Sequence, residues 1–341
     1  MFAPEEVIFA PTSQCNLDCA HCRVTRSSDF LDADASIRFL ESCNDAGIDR
    51  LGFSGGEPFL RVDFLTEVTA AAVERGMLFD RLMTNGVWHR DPGTLRAAVA
   101  KVEEAGFDGV YGLSVDSWHE QDAEKLVQFV QTVFDLRGRR DCVEILSVQA
   151  RDEAPCLDKL RSIARALGGE LELDRHGGEP LSISDKIWKE RPETGEDFPE
   201  ALFIDIHRFP YSAAMSPVAE GADRALDAAR SRPWDDAEWF EDDLCTGPGN
   251  VLYVHPTGKV AACCGFANEN EGLILGNIAR DGYGELMARA AESSQVRTCY
   301  GSGLGALRLR LESEGFTFPG KTADQCYFCD WCAKKGLFEK A

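Results

Sequence analysis

Short apolar runs alternate with amphipathic stretches through the first half of the chain. Val7–Ala10 is the first run, and 50–54, Phe79–Met83, Gly109–Val115 and Val143–Val148 follow it. Their length and their branched and aromatic content predict buried strands. Between them the apolar residues return every three or four positions. Ile37, Leu40, Cys43 and Ala46 predict a helix over 34–46, and further helices are expected over 62–75 and 92–105. Leu126, Val130, Val133 and Phe134 mark a fourth helix, and Leu157, Leu160, Ile163 and Leu167 a fifth. Gly47, Gly76 and Gly106 sit where a left-handed residue most readily ends a helix. Repeated βα units imply a parallel sheet with outer helices, because parallel neighbours need a crossover connection. The strand ends then share one rim, where α/β barrels carry their chemistry.

The pattern changes after the fifth helix. A sixth strand has two candidates, Gly169–Leu173 and Ala201–His207, on either side of a polar segment. That segment (176–200) reads as an insertion across an open side of the barrel, or as a surface loop. Further on, Val251–Cys264 alternates apolar and polar residues around Thr257-Gly258, which predicts a β-hairpin with a cysteine after its second strand. A division into domains 1–222 and 223–341 is expected.

Composition narrows the class. The 341 residues are 44% hydrophobic and 28% charged, ordinary for a globular protein. No apolar run approaches the roughly 18 residues of a membrane span. The start, Met1–Glu6, lacks a signal-peptide pattern. Thirteen cysteines without an export signal point to a reducing cytoplasm and to metal ligation rather than disulfides. A net charge of −22 argues against nucleic-acid partners, whose phosphates call for basic patches.

The cysteines fall into two sets. Cys15, Cys19 and Cys22 lie within eight residues directly after the first strand, spaced C-x3-C-x2-C. Three thiolates on a short loop can hold three irons of a [4Fe-4S] cluster, and no fourth cysteine follows nearby, so one iron is left for a ligand that is not protein. A zinc knuckle is the alternative, although zinc sites more often close at four ligands. About forty residues on, Ser54-Gly55-Gly56-Glu57-Pro58 follows the second strand. Two residues without Cβ let backbone approach a ligand, and a carboxylate can pair with an ammonium.

Together the cysteine loop and Gly-Gly-Glu-Pro resemble the signature of the radical S-adenosylmethionine (radical SAM) enzymes. The resemblance implies a partial (β/α)6 TIM-like barrel, open on one side. It also implies a [4Fe-4S] cluster at Cys15, Cys19 and Cys22 that binds S-adenosylmethionine (SAM). Ser54, Gly55, Gly56, Glu57 and Pro58 would then receive the SAM amino group. His21 stands where the family most often has an aromatic residue, and its flat ring can lie against adenine. Similarity to the family extends to the strand ends: Thr84, Asn85, Ser114, Asp116, Ser147 and Gln149 are candidates for contacts to SAM or substrate, or for turn formers. Asp116, His119 and Glu120 are candidate catalytic residues, with His119 and Glu120 as a proton-accepting pair or a helix cap.

The second set is Cys245, Cys263, Cys264, Cys299, Cys326, Cys329 and Cys332. Its Cys245…Gly258…Cys263 opening and its late C-x2-C resemble the auxiliary-cluster extension called SPASM, or its single-cluster version, twitch. This implies a small C-terminal α+β domain with one auxiliary [4Fe-4S] cluster, held by Cys245, Cys263, Cys326 and either Cys329 or Cys332. Two clusters remain open, as does zinc. Cys264 and Cys299 are expected to be buried small hydrophobes, like Cys43, Cys142 and Cys156.

The resemblance implies an oxidoreductase that cleaves SAM to a 5′-deoxyadenosyl radical, takes a hydrogen atom from a small molecule or short peptide, and oxidises the substrate radical through the auxiliary cluster. A flavodoxin- or ferredoxin-type reductant would supply electrons. A maturase of ribosomally made peptides is one alternative, and a non-catalytic electron carrier is another.

Overall fold

The computed structural model describes residues 1–19, 21–149, 152–173, 183–189, 202–209, 234–241, 244–245 and 249–339; side chains at 183–185, 188–189 and 202–203 are left aside. Strand and helix alternate from the start: β1 (Glu6–Phe9), α1 (Ala33–Asp45), β2 (Arg50–Phe53), α2 (Val62–Glu74), β3 (Leu78–Thr84), α3 (Pro92–Glu104), β4 (Val110–Ser114), α4 (Ala123–Arg137), β5 (Val143–Val148) and α5 (Ala154–Ala166). Asp32, Asp91 and Asp122 cap α1, α3 and α4 by accepting from backbone N–H groups of the first turn. In α1 the buried positions are Ala35, Ser36, Phe39, Leu40 and Cys43, while Ala46 is exposed. The face therefore follows the 3.6-residue period rather than the strict three-residue spacing the sequence suggested.

Three more strands follow: β6 (Glu170–Glu172), β7 (Ile183–Lys189) and β8 (Leu202–Phe209). The strand that joins β5 in parallel is β8, so Ala201–His207 was the correct candidate for the sixth barrel strand. Ile204 and Ile206 are fully buried there, whereas β6 has two exposed glutamates and pairs antiparallel with β7 at the sheet edge. Part of the expected insertion thus extends the sheet past β8 as β7; the rest lies outside the described residues.

The C-terminal part contains β9 (Val251–Val254), β10 (Lys259–Ala261), β11 (Ile274–Asn277), α6 (Tyr283–Glu292), α7 (Ser294–Arg297), α8 (Leu304–Ser313) and α9 (Gln325–Lys334). The hairpin β9–β10 forms as expected, and β9 docks in parallel on β1, from Glu6↔Val251 to Phe9↔Val254. The full order is β11-β10-β9-β1-β2-β3-β4-β5-β8-β7-β6, an open sheet in which the six βα-unit strands β1, β2, β3, β4, β5 and β8 form a parallel partial barrel and β9 adds a seventh parallel strand beside β1. The proposed boundary at 222/223 lies outside the described residues.

Two aromatic groups anchor the halves. Phe59, Phe107, Tyr111 and Phe129 pack edge-on or stacked under α3 and α4. Trp234, Trp239, Phe318, Phe328 and Trp331 do the same around α9. Buried aromatics of this size dominate core energetics.

Candidate active site

Phe9 ends β1, and the chain passes through Thr12–Gln14 before the first cysteine. The Gly-Gly run at the end of β2 lies directly against it: the Gly56 N–H donates to the Thr12 carbonyl at 2.8 Å, and the Glu57 N–H to the Gln14 carbonyl at 2.8 Å. A Cβ on Gly56 would sit 2.1 Å from the Gln14 oxygen, and one on Gly55, whose φ is +120°, 2.7 Å from the Thr12 oxygen. Both glycines are thus required for this backbone-to-backbone seat, which orients the cysteine loop.

Glu57 departs from the expected pairing with an ammonium. Its carboxylate is fully buried and accepts from the Phe59 N–H (3.1 Å), the Thr84 hydroxyl (2.9 Å) and the Asn85 N–H (2.8 Å). It ties β2 to β3 from inside. Burial pushes it up to about 7 against the pull of those donors.

Asn85, at the end of β3, turns its amide onto the loop, donating to Asn16 Oδ1 at 2.8 Å and to Cys15 Sγ at 3.4 Å. The Leu17 N–H also points at Cys15 Sγ, at 3.4 Å. Arg26 clasps the loop through the carbonyls of Ser13 (2.8 Å) and Leu17 (2.9 Å). A cavity of about 160 Å³ opens here, lined by Cys15, Cys19, His21, Cys22, Ser54, Gly55, Gly56, Pro58, Thr84, Asn85, Ser114 and His119, among others. N–H donors aimed at a sulfur suit a thiolate ligand. Without a metal, burial followed by the neighbouring thiols pushes Cys19 up to about 12, so a bound cation is what would ionise it.

Among the described residues no three cysteine sulfurs lie within 4.8 Å of one another.

Of the catalytic candidates, only His119 reaches this cavity. Its Nδ1 sits 2.8 Å from Asp116 Oδ1, and the same oxygen accepts from the N–H groups of Trp118 and His119. Asp116 is buried behind the imidazole; burial raises its carboxyl, but the His119 hydrogen bond and charge outweigh that and hold it below the usual range. Lys159 braces the same turn through the carbonyls of Asp116 and His119, both at 2.9 Å. Glu120 is exposed and lines neither site cavity, so it does not pair with His119. Ser147 points away from the cavity, buried against Cys156 of α5 with 3.4 Å between Oγ and Sγ. Gln149 also lies outside the cavity lining, its N–H engaged by the Phe209 carbonyl. His21 stands edge-on to His119, with ring centroids 4.8 Å apart. Burial lowers it to about 4, leaving a neutral, flat wall.

His21, Cys22, Ser54 and Gly55 also border a larger cavity of about 560 Å³. Its opposite wall is the C-terminal hairpin, with Tyr253 and His255, and the segment after it, with Cys264, Asn268 and Glu269. Thr25 bridges the two sides by donating its hydroxyl to Glu269 at 2.8 Å. Cys264, expected to be a buried small hydrophobe, packs half-buried on Ala10, Tyr253 and Ala261 and also borders this cavity. Its neighbour Cys263 turns the other way, into a buried chamber that Cys245, Cys299, Cys326 and Cys329 also line.

Of Cys329 and Cys332, only Cys329 lines that chamber. Cys332 is buried and outside the lining, whereas Cys329 receives Gln295 Nε2 at 3.5 Å and lies 3.7 Å from Cys299 Sγ. The Cys299 thiol and the Gln295 amide favour the Cys329 thiolate, holding it below the usual thiol range. Cys299, expected to be an ordinary core residue, is a partner in the chamber. It is buried as expected, but sequence reasoning did not place it beside the ligand candidates, and it passed over Arg26, Lys159 and Gln295, because no local spacing marks them. The Gly265 N–H completes the pattern, 3.1 Å from Cys263 Sγ.

Residues 9–142 match the radical SAM superfamily, and residues 245–313 match SPASM, the iron–sulfur cluster-binding domain. The chain therefore carries a radical SAM domain followed by a SPASM domain. The chain is 35% identical over 135 residues to a PqqA peptide cyclase of Methylorubrum populi, covering 36% of this chain and 33% of that protein. It is 36% identical over 115 residues to the pre-heme d1 synthase of Dinoroseobacter shibae, covering 32% and 26%. A GTP 3',8-cyclase of Helicobacter pylori is 29% identical over 126 residues, covering 34% and 36%. The matches thus span between about a quarter and a little over a third of the relatives' length. Among solved structures, native anSMEcpe with bound AdoMet and Cp18Cys peptide superposes with a TM-score of 0.52 at 16% identity, over 98% of this chain and 96% of that one. The likeness is one of fold. Among the described residues no helix is long and apolar enough to cross a membrane.

Proposed function

We propose that this radical SAM protein catalyses a two-electron oxidation of a peptide segment held in the 560 Å³ cavity. One observation carries the reading: a single cavity is bordered by Cys22 of the N-terminal loop and by Cys264, whose neighbour Cys263 enters the thiol chamber. Bound at Cys15, Cys19 and Cys22, a [4Fe-4S] cluster would supply the electron that cleaves SAM, giving methionine and a 5′-deoxyadenosyl radical able to take a hydrogen atom from substrate. A second cluster at Cys245, Cys263, Cys326 and Cys329 would take up the electron left on the substrate.

The chain's own residues do the rest. Gly55 and Gly56 fix the loop and keep backbone open to the SAM methionyl end. Asn85 steadies Cys15, and His21 gives the nucleoside a neutral wall. His119, held by Asp116 and Lys159, is a base at Nε2 for the proton that leaves with the second electron. Tyr253, hydrogen-bonded to Ser54, joins the hairpin to the SAM side and closes that face to water.

The PqqA peptide cyclases among the relatives favour a peptide substrate. A small-molecule substrate is the second reading, favoured by the cavity volume, which falls within the roughly 300–1,000 Å³ of small-ligand sites. The test pairs wild type with Cys245→Ala/Cys263→Ala in anaerobic incubations with SAM, a reductant and candidate peptides. Wild type is expected to give one 5′-deoxyadenosine for each product that has lost two hydrogens. The variant is expected to keep cleaving SAM without that product; an unchanged product yield would overturn the proposal.

A further inference from the structure

On the outer side of the thiol chamber lies a third cavity, of about 250 Å³, lined by Ser294, Arg297, Thr298, Ser302, Leu307 and Arg310, with Ala306 at its edge. None of these is acidic, in a chain with 58 Asp and Glu against 36 Lys and Arg. Arginines of such a chain ordinarily find carboxylates, as Arg289 finds Asp281 and Arg308 finds Glu312. Arg310 has no ion-pair partner among the described residues, and its buried Nε has no acceptor there. Arg297 directs Nη1 to the carbonyls of Glu292 (2.7 Å) and Ala291 (3.1 Å), which fixes its guanidinium at the cavity edge without neutralising it.

Two unneutralised guanidinium groups converging with three hydroxyls form an oxyanion receptor. The planar fork of arginine matches carboxylate and phosphate oxygens in a way that a point charge does not. We propose that this cavity binds a small oxyanion, a phosphoryl or carboxylate group, between Arg297 and Arg310. Its volume lies below the range of drug-sized pockets, which suits a group the size of phosphate or citrate better than a nucleotide. Thr298 begins the π-type turn Thr298–Ser302 that carries Cys299 and Tyr300 into the thiol chamber. An anion seated here therefore ties down the back of that turn. The site stands independently of the proposed oxidation.

The experiment is calorimetric titration of inorganic phosphate, and separately of citrate, into cluster-loaded protein at fixed ionic strength against a chloride control. Saturable binding is expected, weakened about tenfold or more in Arg310→Gln and in Arg297→Gln and partly restored in Arg310→Lys. The tighter of the two ligands identifies the phosphoryl or the carboxylate as the preferred group. Thermal unfolding and iron content of each variant verify that it is folded and loaded; Ser302→Ala, which removes only a surface hydroxyl, supplies a milder test with a smaller loss. No binding beyond chloride, or wild-type affinity in both glutamine variants, would overturn the proposal.

Discussion

A carboxylate removed from solvent must find its donors inside the protein, and Glu57 finds three, from Phe59, Thr84 and Asn85. Glu57→Ala would leave them unsatisfied and is expected to cost about 3 kcal/mol, read by chemical denaturation; unchanged stability would contradict its role as a tie between β2 and β3. Asn85→Ala removes an N–H···S bond to Cys15. Such bonds favour the more negative, reduced state of a cluster, so the variant is expected to titrate at a lower potential by EPR. Cys332→Ala is expected to retain the full iron content and Cys329→Ala to lose the second cluster's share; the reverse pattern would reassign the chamber. The N-terminal cysteines were legible because their ligand spacing is contiguous. The partners of Glu57 were not, since two of them arrive from β3, 27 and 28 positions away.

At the scale of elements, the seat of the cysteine loop on the Gly55–Gly56 backbone is the critical joint. Gly56→Ala places a methyl group where the Gln14 carbonyl lies, so the loop must move. The expected result is a folded protein with reduced iron at the first site and intact iron at the second. Unaltered iron at both would show that the loop does not depend on this seat. The five βα units were legible because each buries one amphipathic face between glycine stops. The sixth strand was ambiguous because a strand is settled by its neighbours: β8 has buried isoleucines at the centre of the sheet, whereas β6 has only an exposed edge. The docking of β9 on β1 had no local signal, because strand pairing across more than two hundred residues leaves none in the sequence.

For the whole molecule, the half-buried Glu6 and the buried Glu57 set a pH dependence. Burial pushes Glu6 and Glu57 from 4.5 up to about 7. Between about 4.5 and 7 the folded chain therefore binds protons that the unfolded chain has released, and stability falls as pH rises through that window. Glu6→Gln is expected to flatten part of the fall, on the order of 1–2 kcal/mol, in denaturation curves at pH 5 and 8. A slope unchanged from wild type would contradict the assignment. The most direct test of the central claim is the yield of 5′-deoxyadenosine when anaerobically loaded, reduced protein meets SAM. Wild type is expected to form it, and the Cys15→Ala/Cys19→Ala/Cys22→Ala variant to form none while retaining iron at the second site. No 5′-deoxyadenosine from the wild type, or the same amount from the variant, would contradict the account.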